Sequence, residues 1–269
     1  MTNHKQSVYR LTESALLLAI AAVLSVLKLV DMPYGGSVTP FSMLPLLIIA
    51  YRHGTKWGMF TALTYSLIQL LLGLDNFAYA TSFPAALTIV LCDYLLAFLA
   101  LGLGGIFRNR LPQSGALCAA AIFTGALRYL CHVITGCTVW AGLPVPTPDA
   151  LVYSLSYNAT YMIPEIILLA IGAVYISRLL SFESTDISRA VIKQRGNVTA
   201  TVLSAVAATV VFVTVVWDLT QIVPALQNAD AALSFAGLAA VHWGIIGIVT
   251  AIGAILAVLL ALIARRFNR

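Results

Sequence analysis

One predicted helix carries a stripe of four residues whose types suit the recognition of a ring-shaped ligand. Arg128, His132, Gly136 and Trp140 follow one another at intervals of four residues, so they lie along one helix face. The stripe presents a cation, an imidazole, a position with no side chain and an indole. A glycine in a membrane helix permits close approach of a ligand or of another helix. The combination indicates a binding site, and helix packing alone is the alternative interpretation.

Two neighbouring predicted helices supply further polar and aromatic side chains at a matching depth: Asp93, Tyr94, Tyr153, Tyr157, Asn158 and Tyr161. Aromatic faces stack on a flat ring or make cation–π contacts with it. The Asp93 carboxylate could balance a positive charge, while Asn158 and His132 could bind ring nitrogens or an exocyclic amine. The outer halves of helices four, five and six therefore predict a pocket for a flat, cationic or nitrogen-rich ring.

Charged residues inside predicted membrane spans are costly unless they are paired or face water, so each is a candidate functional residue. Four remain after the connecting segments are assigned: Lys28, Asp93, Arg128 and Glu165. Lys28 is near a helix end and can extend to the membrane surface. Arg128 and Glu165 fall at the same depth on adjacent helices, which predicts a buried structural ion pair.

Catalysis is a second function class that the same residues allow, with Asp93 and His132 as acid and base of a membrane-embedded enzyme. Neither a second carboxylate, an HExxH pair nor a serine–base arrangement accompanies them, and the chain has no Walker motif. The four cysteines lack zinc-ligand spacing. We therefore predict no catalytic residue, no metal and no use of ATP by this chain. A third class is an accessory membrane protein in which the stripe only packs helices.

The composition sets where these residues must lie. Hydrophobic residues make up 61% of the 269 residues and charged residues 9%, against about 25% charged in soluble domains. The chain must lie mostly in lipid, which excludes a soluble enzyme and a nucleic-acid-binding protein. Apolar stretches long enough to cross a bilayer, about 20 residues each, predict eight spans at roughly 11–30, 37–51, 56–73, 84–107, 115–141, 151–178, 197–217 and 236–264.

The segments that connect these spans alternate in charge. Lys and Arg occur at the N-terminus and in every second connecting segment, while the intervening segments carry Asp and neither Lys nor Arg. Basic short loops remain in the cytoplasm, so the pattern predicts an all-α integral membrane protein with both termini cytoplasmic. We predict a six-helix membrane domain at 1–182, a cytoplasmic linker at 183–196 and a two-helix membrane extension at 197–269.

Several motifs, in order and spacing, resemble one family. They are Leu11-Thr-Glu-Ser-Ala15, the cytoplasmic run from Arg52 to Gly58, the run from Arg128 to Gly136 followed by Trp140, and the run from Tyr153 to Asn158. Together they resemble the thiamine-specific S-components of bacterial energy-coupling factor (ECF) vitamin transporters. The resemblance covers about residues 8–180 and implies the six-helix S-component fold. The last two helices have no counterpart in the compact members of that family.

The resemblance implies that the chain captures thiamine from outside the bacterial cell with high affinity. It also implies partners, namely a transmembrane T-subunit and two ATPase subunits, which would be the ones to use ATP. The binding positions that it carries over are Asp93, Tyr94, His132, Gly136, Trp140, Tyr153 and Asn158. The family closes its pocket with an aromatic residue, for which Tyr34 and Phe83 are candidates. Small residues on helix one dock the T-subunit in the family, and Ala15, Ala19 and Ala22 match them.

The carboxylate position differs from the family pattern, because the family normally has Glu where this chain has Asp93. The shorter side chain moves the carboxylate by about one carbon–carbon bond, ~1.5 Å. The same fold binding a thiamine precursor, either hydroxymethylpyrimidine or the thiazole, is therefore a close alternative to thiamine itself.

Overall fold

The computed structural model describes residues 3–32, 35–141, 148–182, 188–189, 198–222, 225 and 236–267. Tyr34 and most of the predicted linker lie outside these residues, and for Trp140 only the backbone is described. The described residues form eight principal helices: α1 (Asn3–Val26), α2 (Leu44–His53), α3 (Thr55–Leu72), α4 (Phe83–Phe107), α5 (Gln113–Ala141), α6 (Pro148–Leu179), α7 (Val198–Ile222) and α8 (Trp243–Phe267).

The other elements of the described chain are short. Single 3-10 segments cover Leu74–Tyr79 and Ala236–Ala240. Two antiparallel pairs, each with two residues per strand, join β1 (Val30–Asp31) to β2 (Ser37–Val38) and β3 (Leu180–Ser181) to β4 (Ser188–Arg189). The predicted all-helical membrane architecture is confirmed, with these two small ladders as additions.

The second predicted span, 37–51, differs from the structure. Its helix α2 begins only at Leu44 and has 10 residues, or about 15 Å of rise against a hydrocarbon core of ~30 Å. Pro40 disfavours helix at the residue before it, and Phe41 adopts a left-handed φ of 59°. In the described chain, six helices are long and apolar enough to cross a membrane, and α2 and α3 are not among them.

The non-helical stretch before α2 is buried in protein. Thr39 and Ser42 are buried, their hydroxyls lie 2.6 Å apart, and the Thr39 hydroxyl donates to Glu165 Oε1 of α6 at 2.8 Å. Irregular backbone at membrane depth is tolerated where the protein satisfies its polar groups or where it lines a cavity. Here the protein satisfies the polar groups of this stretch, and Thr39 and Ser42 also line a cavity.

Helix α4 changes its winding along its length. An α-helical turn at Phe83–Thr88 is followed by a π-helical stretch at Ile89–Leu96, and the helix ends as a 3-10 helix at Ala100–Phe107. Asp93 lies in the wide π-helical stretch, a form that is frequent at functional sites. Glycines in the tight end let it approach its neighbours, since a Cβ at Gly105 would lie 2.7 Å from the Thr55 backbone nitrogen.

A buried polar cluster joins several elements at the end where α1 begins. Glu13 Oε1 lies 2.5 Å from Arg52 Nε, Glu13 Oε2 lies 2.8 Å from His53 Nε2, and Arg52 Nη1 donates to the Phe182 carbonyl at 3.0 Å. Segments that the charge pattern assigns to the cytoplasm therefore share one end of the fold. At the other end, Gln69 Nε2 donates to Ser25 Oγ at 2.8 Å.

The chain divides into two compact units, Met1–Ser177 with Phe182–Ile187, and Arg178–Ser181 with Ser188–Arg269. In the second unit α7 and α8 form an antiparallel hairpin. Thr250 Oγ1 donates to Asp218 Oδ2 at 2.9 Å, and Gly253 lets α8 pack directly against Thr214.

Candidate functional site

A cavity of about 440 Å³ opens in the first unit. Residues of α4, α5 and α6 line it, as predicted from sequence, but so do the ends of α1 and α3 and the segment 35–42. Of the predicted binding residues, five line the cavity: Asp93, Tyr94, His132, Gly136 and Asn158. The cavity is of a size that small-molecule sites commonly have, roughly 300–1,000 Å³.

An aspartate–histidine pair links α4 to α5 in the cavity wall. His132 Nδ1 lies 2.8 Å from Asp93 Oδ1. A carboxylate only accepts hydrogen bonds, so Nδ1 carries the hydrogen and, in the neutral imidazole, Nε2 presents a lone pair. His132 Nε2 is buried and has no hydrogen-bond partner within the described part of the chain. The pair therefore holds an acceptor ready for a donor group of a ligand.

Gly136 and Asn158 bring α5 and α6 together. A Cβ at Gly136 would collide with Ser154 Oγ and would lie 3.2 Å from Asn158 Nδ2. Asn158 Nδ2 donates to the Ser154 carbonyl at 2.8 Å and to the His132 carbonyl at 3.3 Å, while its Oδ1 accepts from the Tyr161 hydroxyl at 2.5 Å. Asn158 thus braces the backbone next to His132, a role that the sequence motif did not indicate.

The predicted aromatic residues are in different situations. The Tyr94 hydroxyl donates to the Gly73 carbonyl at 3.0 Å and accepts from Asn76 Nδ2 at 2.7 Å, which ties α4 to the outer end of α3. Tyr153 stacks on Tyr157, with ring centroids 6.0 Å apart, and is not among the residues that line the cavity.

Of the two candidates for an aromatic that closes the pocket, the structure describes only Phe83. Phe83 is 79% exposed and does not line the cavity, because it is the first residue of α4 and points away from the bundle. Tyr34 and the side chain of Trp140 lie outside the described residues.

The predicted contact between Arg128 and Glu165 is present at the deep end of the cavity. Arg128 Nη1 lies 3.2 Å from Glu165 Oε2, and both side chains are buried. The Arg128 guanidinium also packs over the Phe98 ring, 4.8 Å from its centroid. The contact joins α5 to α6, and the Thr39 hydrogen bond to Glu165 adds the segment before α2.

The rest of the cavity lining includes polar residues that sequence reasoning missed: Ser25, Thr39, Ser42, Gln69 and Asn76. They come from α1, α3 and two connecting segments, and no spacing rule within one helix relates them. The sequence offered one signal for this part of the lining, the amide side chain of Gln69 in a mostly apolar helix. Its side chain meets Ser25 rather than lipid.

The charges that line the cavity favour a positive ligand over a negative one. Three acidic side chains, Asp75, Asp93 and Glu165, face two basic ones, Lys28 and Arg128. Lys28 is half-exposed and is engaged by Asp31, 2.9 Å away. No group of three or more His, Cys, Asp or Glu side chains in the described chain could hold a metal ion.

The chain is similar to known proteins over its first unit. The family described as thiamine transporter protein (Thia_YuaJ) matches residues 11–182. Thiamine transporter ThiT from Bacillus subtilis (strain 168) is 35% identical in an alignment of 181 positions that covers 63% of this chain and 90% of that protein. A solved structure of ThiT from Listeria monocytogenes superposes with a TM-score of 0.51 at 22% identity, covering 64% of this chain and 94% of that one. The family match ends before α7 and α8.

Proposed function

Because the chain belongs to the thiamine transporter protein family, we propose that it captures thiamine in the cavity of its first unit and serves its import. The chain is a multi-pass membrane protein of a bacterial family of transporters. The relative from Bacillus subtilis is named a transporter, which supports a role in binding for Asp93 and His132 over one as acid and base.

The observation that carries the proposal is the Nε2 atom of His132, which is buried and has no hydrogen-bond partner among the described residues. Thiamine has an exocyclic amine on its pyrimidine ring, and an amine hydrogen satisfies this acceptor. A buried hydrogen bond of this kind contributes about 0.5–1.5 kcal/mol to binding. Asp93 fixes the imidazole in the tautomer that this contact requires.

The charge balance of the cavity supports the same ligand. Thiamine carries a permanent positive charge on its thiazolium ring, and the acidic side chains that line the cavity outnumber the basic ones. Tyr157 is buried in the cavity wall and offers a π face to a flat cation.

A competition experiment tests the substrate against the precursor alternative. Thiamine, hydroxymethylpyrimidine and hydroxyethylthiazole are titrated into the purified protein, and the heat of binding and the tryptophan fluorescence are recorded. We expect thiamine to bind at least about a hundredfold more tightly than either half, because each half forfeits the contacts of the other. Equal affinity for thiamine and one precursor identifies the precursor as the substrate instead.

We further propose that the chain works as an S-component with an ECF T-subunit and two ATPase subunits, which hydrolyse ATP. The proposed docking surface on α1 is built from Ala15, Ala19 and Ala22. Ala15 and Ala19 are exposed, and the larger side chains beside them, Leu16 and Ile20, are also exposed, at 63% and 49%. Small residues between larger ones let a second helix approach closely in lipid, where packing drives association.

A further inference from the structure

Tyr161 touches three parts of the cavity wall at once. Its side chain is buried and lies on α6, one turn beyond Asn158. The hydroxyl donates to Asn158 Oδ1 at 2.5 Å, and the ring meets the His132 ring edge-on with centroids 6.2 Å apart. The third contact is with the outer loop between β1 and β2, at Gly36.

The contact with the loop is tight. A Cβ at Gly36 would lie 2.6–2.8 Å from three carbons of the Tyr161 ring, closer than carbon atoms approach. The loop itself is held in a hairpin by Met32, whose backbone nitrogen donates to the Gly36 carbonyl at 2.7 Å. The Tyr161 ring is therefore the surface against which Gly36 packs where it lines the cavity.

The contact with His132 runs by two routes. The ring edge limits where the imidazole can tilt. The hydroxyl holds the Oδ1 side of the Asn158 amide, while Nδ2 donates to the Ser154 carbonyl at 2.8 Å and to the His132 carbonyl at 3.3 Å. Removing the hydroxyl leaves the amide held from its Nδ2 side alone and loosens its contact with the backbone that carries His132.

We propose that Tyr161 is a positioning residue that couples the outer loop at Gly36 to the orientation of His132. Seating of the loop and recognition of the exocyclic amine then favour each other through one side chain. The inference rests on the proposed function, since it assigns Tyr161 a role in binding thiamine through His132. No part of the role requires Tyr161 itself to touch the ligand.

The first test compares two ligands in the Tyr161→Phe variant: thiamine and a thiamine analogue that lacks the exocyclic amine. The loss of one buried hydrogen bond, about 0.5–1.5 kcal/mol, corresponds to roughly a 2- to 13-fold effect. We expect the affinity for thiamine to fall by about tenfold and that for the analogue by less than about twofold, because only thiamine uses the oriented imidazole. A merely structural role lowers both affinities equally, and that result overturns the inference.

The matched control is Tyr129→Phe. The Tyr129 hydroxyl also bridges α5 to α6, donating to the Leu155 carbonyl at 2.8 Å, but on the exposed side away from the cavity. We expect this variant to keep the wild-type ratio of the two affinities. A change in that ratio equal to the change in Tyr161→Phe overturns the inference, because any loosening of the two helices would then suffice.

The second test addresses the loop. Gly36→Ala is measured in the wild-type background and in a Tyr161→Leu background, where the smaller side chain leaves room for the added methyl group. We expect Gly36→Ala to weaken thiamine binding several-fold in the first background and hardly at all in the second. Equal effects in both overturn the coupling. If the wild-type protein binds no thiamine, the proposed function is wrong. If it binds thiamine but the effects of Gly36→Ala and Tyr161→Leu on affinity are additive, only the role inferred for Tyr161 is wrong.

Discussion

In the proposed function, recognition of thiamine depends most on His132. Its Nδ1 is committed to Asp93, which leaves Nε2 as the buried acceptor. We expect His132→Ala to weaken thiamine binding by roughly 10- to 100-fold, the equivalent of a buried hydrogen bond of about 1.5–3 kcal/mol. Calorimetric titration measures the change. Thr138→Ala is the control, since Thr138 lies on the same helix with its hydroxyl bonded to the Ile134 carbonyl on the exposed side. Wild-type affinity in His132→Ala contradicts the placement of the site.

Gly136 is a residue of the cavity wall at which a single added methyl group disturbs the contact between α5 and α6. A Cβ there collides with Ser154 Oγ of α6, so Gly136→Ala must separate α5 from α6 or displace Ser154. We expect a destabilisation of about 1–3 kcal/mol, typical of overpacking, together with weaker thiamine binding. Thermal unfolding in detergent and calorimetry measure both effects.

Gly115→Ala is the matched control for that substitution. It lies on the same helix, and its added Cβ would find the nearest neighbour 3.7 Å away, an ordinary contact. We expect unchanged binding and equal or slightly higher stability, because alanine favours helix over glycine. A loss of binding in Gly115→Ala as large as that in Gly136→Ala shows that the effect is not local to the α5–α6 contact.

Side-chain spacing predicted the part of the cavity lining that comes from α4, α5 and α6, and it missed the part from α1, α3 and the connecting segments, for a physical reason. Helical periodicity relates residues of one helix, so the stripe from Arg128 to Gly136 was visible in the sequence. Gln69 and Ser25 are 44 positions apart and meet only because α1 and α3 pack together. Asn158 is predicted to touch the ligand and lines the cavity. Its Nδ2 also donates to the neighbouring backbone, which no sequence pattern indicates.

At the scale of elements, the polar cluster of Glu13, Arg52 and His53 makes stability depend on pH. Burial lowers the pKa of His53 below its usual 6.5, against the opposing effect of the Glu13 carboxylate. The unfolded chain then binds the proton more readily, so this contribution to stability is complete above about pH 6.5 and is lost as the pH falls towards the lowered pKa. We expect the wild-type unfolding temperature to drop more between pH 7 and pH 5.5 than that of His53→Gln. Parallel curves for the two proteins contradict this assignment.

Hydropathy predicts the boundaries of long helices well. It predicts them poorly where a proline or a left-handed residue interrupts the helix. The spans predicted at 84–107 and 115–141 agree with α4 and α5 within a few residues. The span predicted at 37–51 contains Pro40 and Phe41, and the protein resolves it into a strand, a buried turn and the short helix α2. Hydropathy indicates only that a stretch is buried. A helix and an extended segment inside a cavity wall can have the same hydropathy.

At the scale of the whole molecule, α7 and α8 form a unit outside the family match. The cavity and its lining lie entirely in the first unit. We therefore expect a chain truncated after residue 182 to bind thiamine within about threefold of the full-length affinity, a difference of less than 1 kcal/mol. Calorimetry on both purified proteins measures this. A larger loss shows that the two-helix extension contributes to the substrate site.

Substitutions on the exposed face of α1 test whether thiamine binding and thiamine import can be separated. Replacing Ala15 and Ala19 together by leucine fills the surface where we propose that the T-subunit docks, while both positions lie outside the cavity lining. We expect thiamine binding by the purified variant to be unchanged, and co-purification with the T-subunit and thiamine uptake by cells to be lost, because helices in lipid associate through close packing. Ala126→Leu, an exposed alanine on α5, is the control and should retain uptake. If the α1 variant retains uptake, the partner docks elsewhere. If the variant loses thiamine binding as well, α1 stabilises the cavity and does not serve as a docking surface. The small residues are then required for packing within this chain.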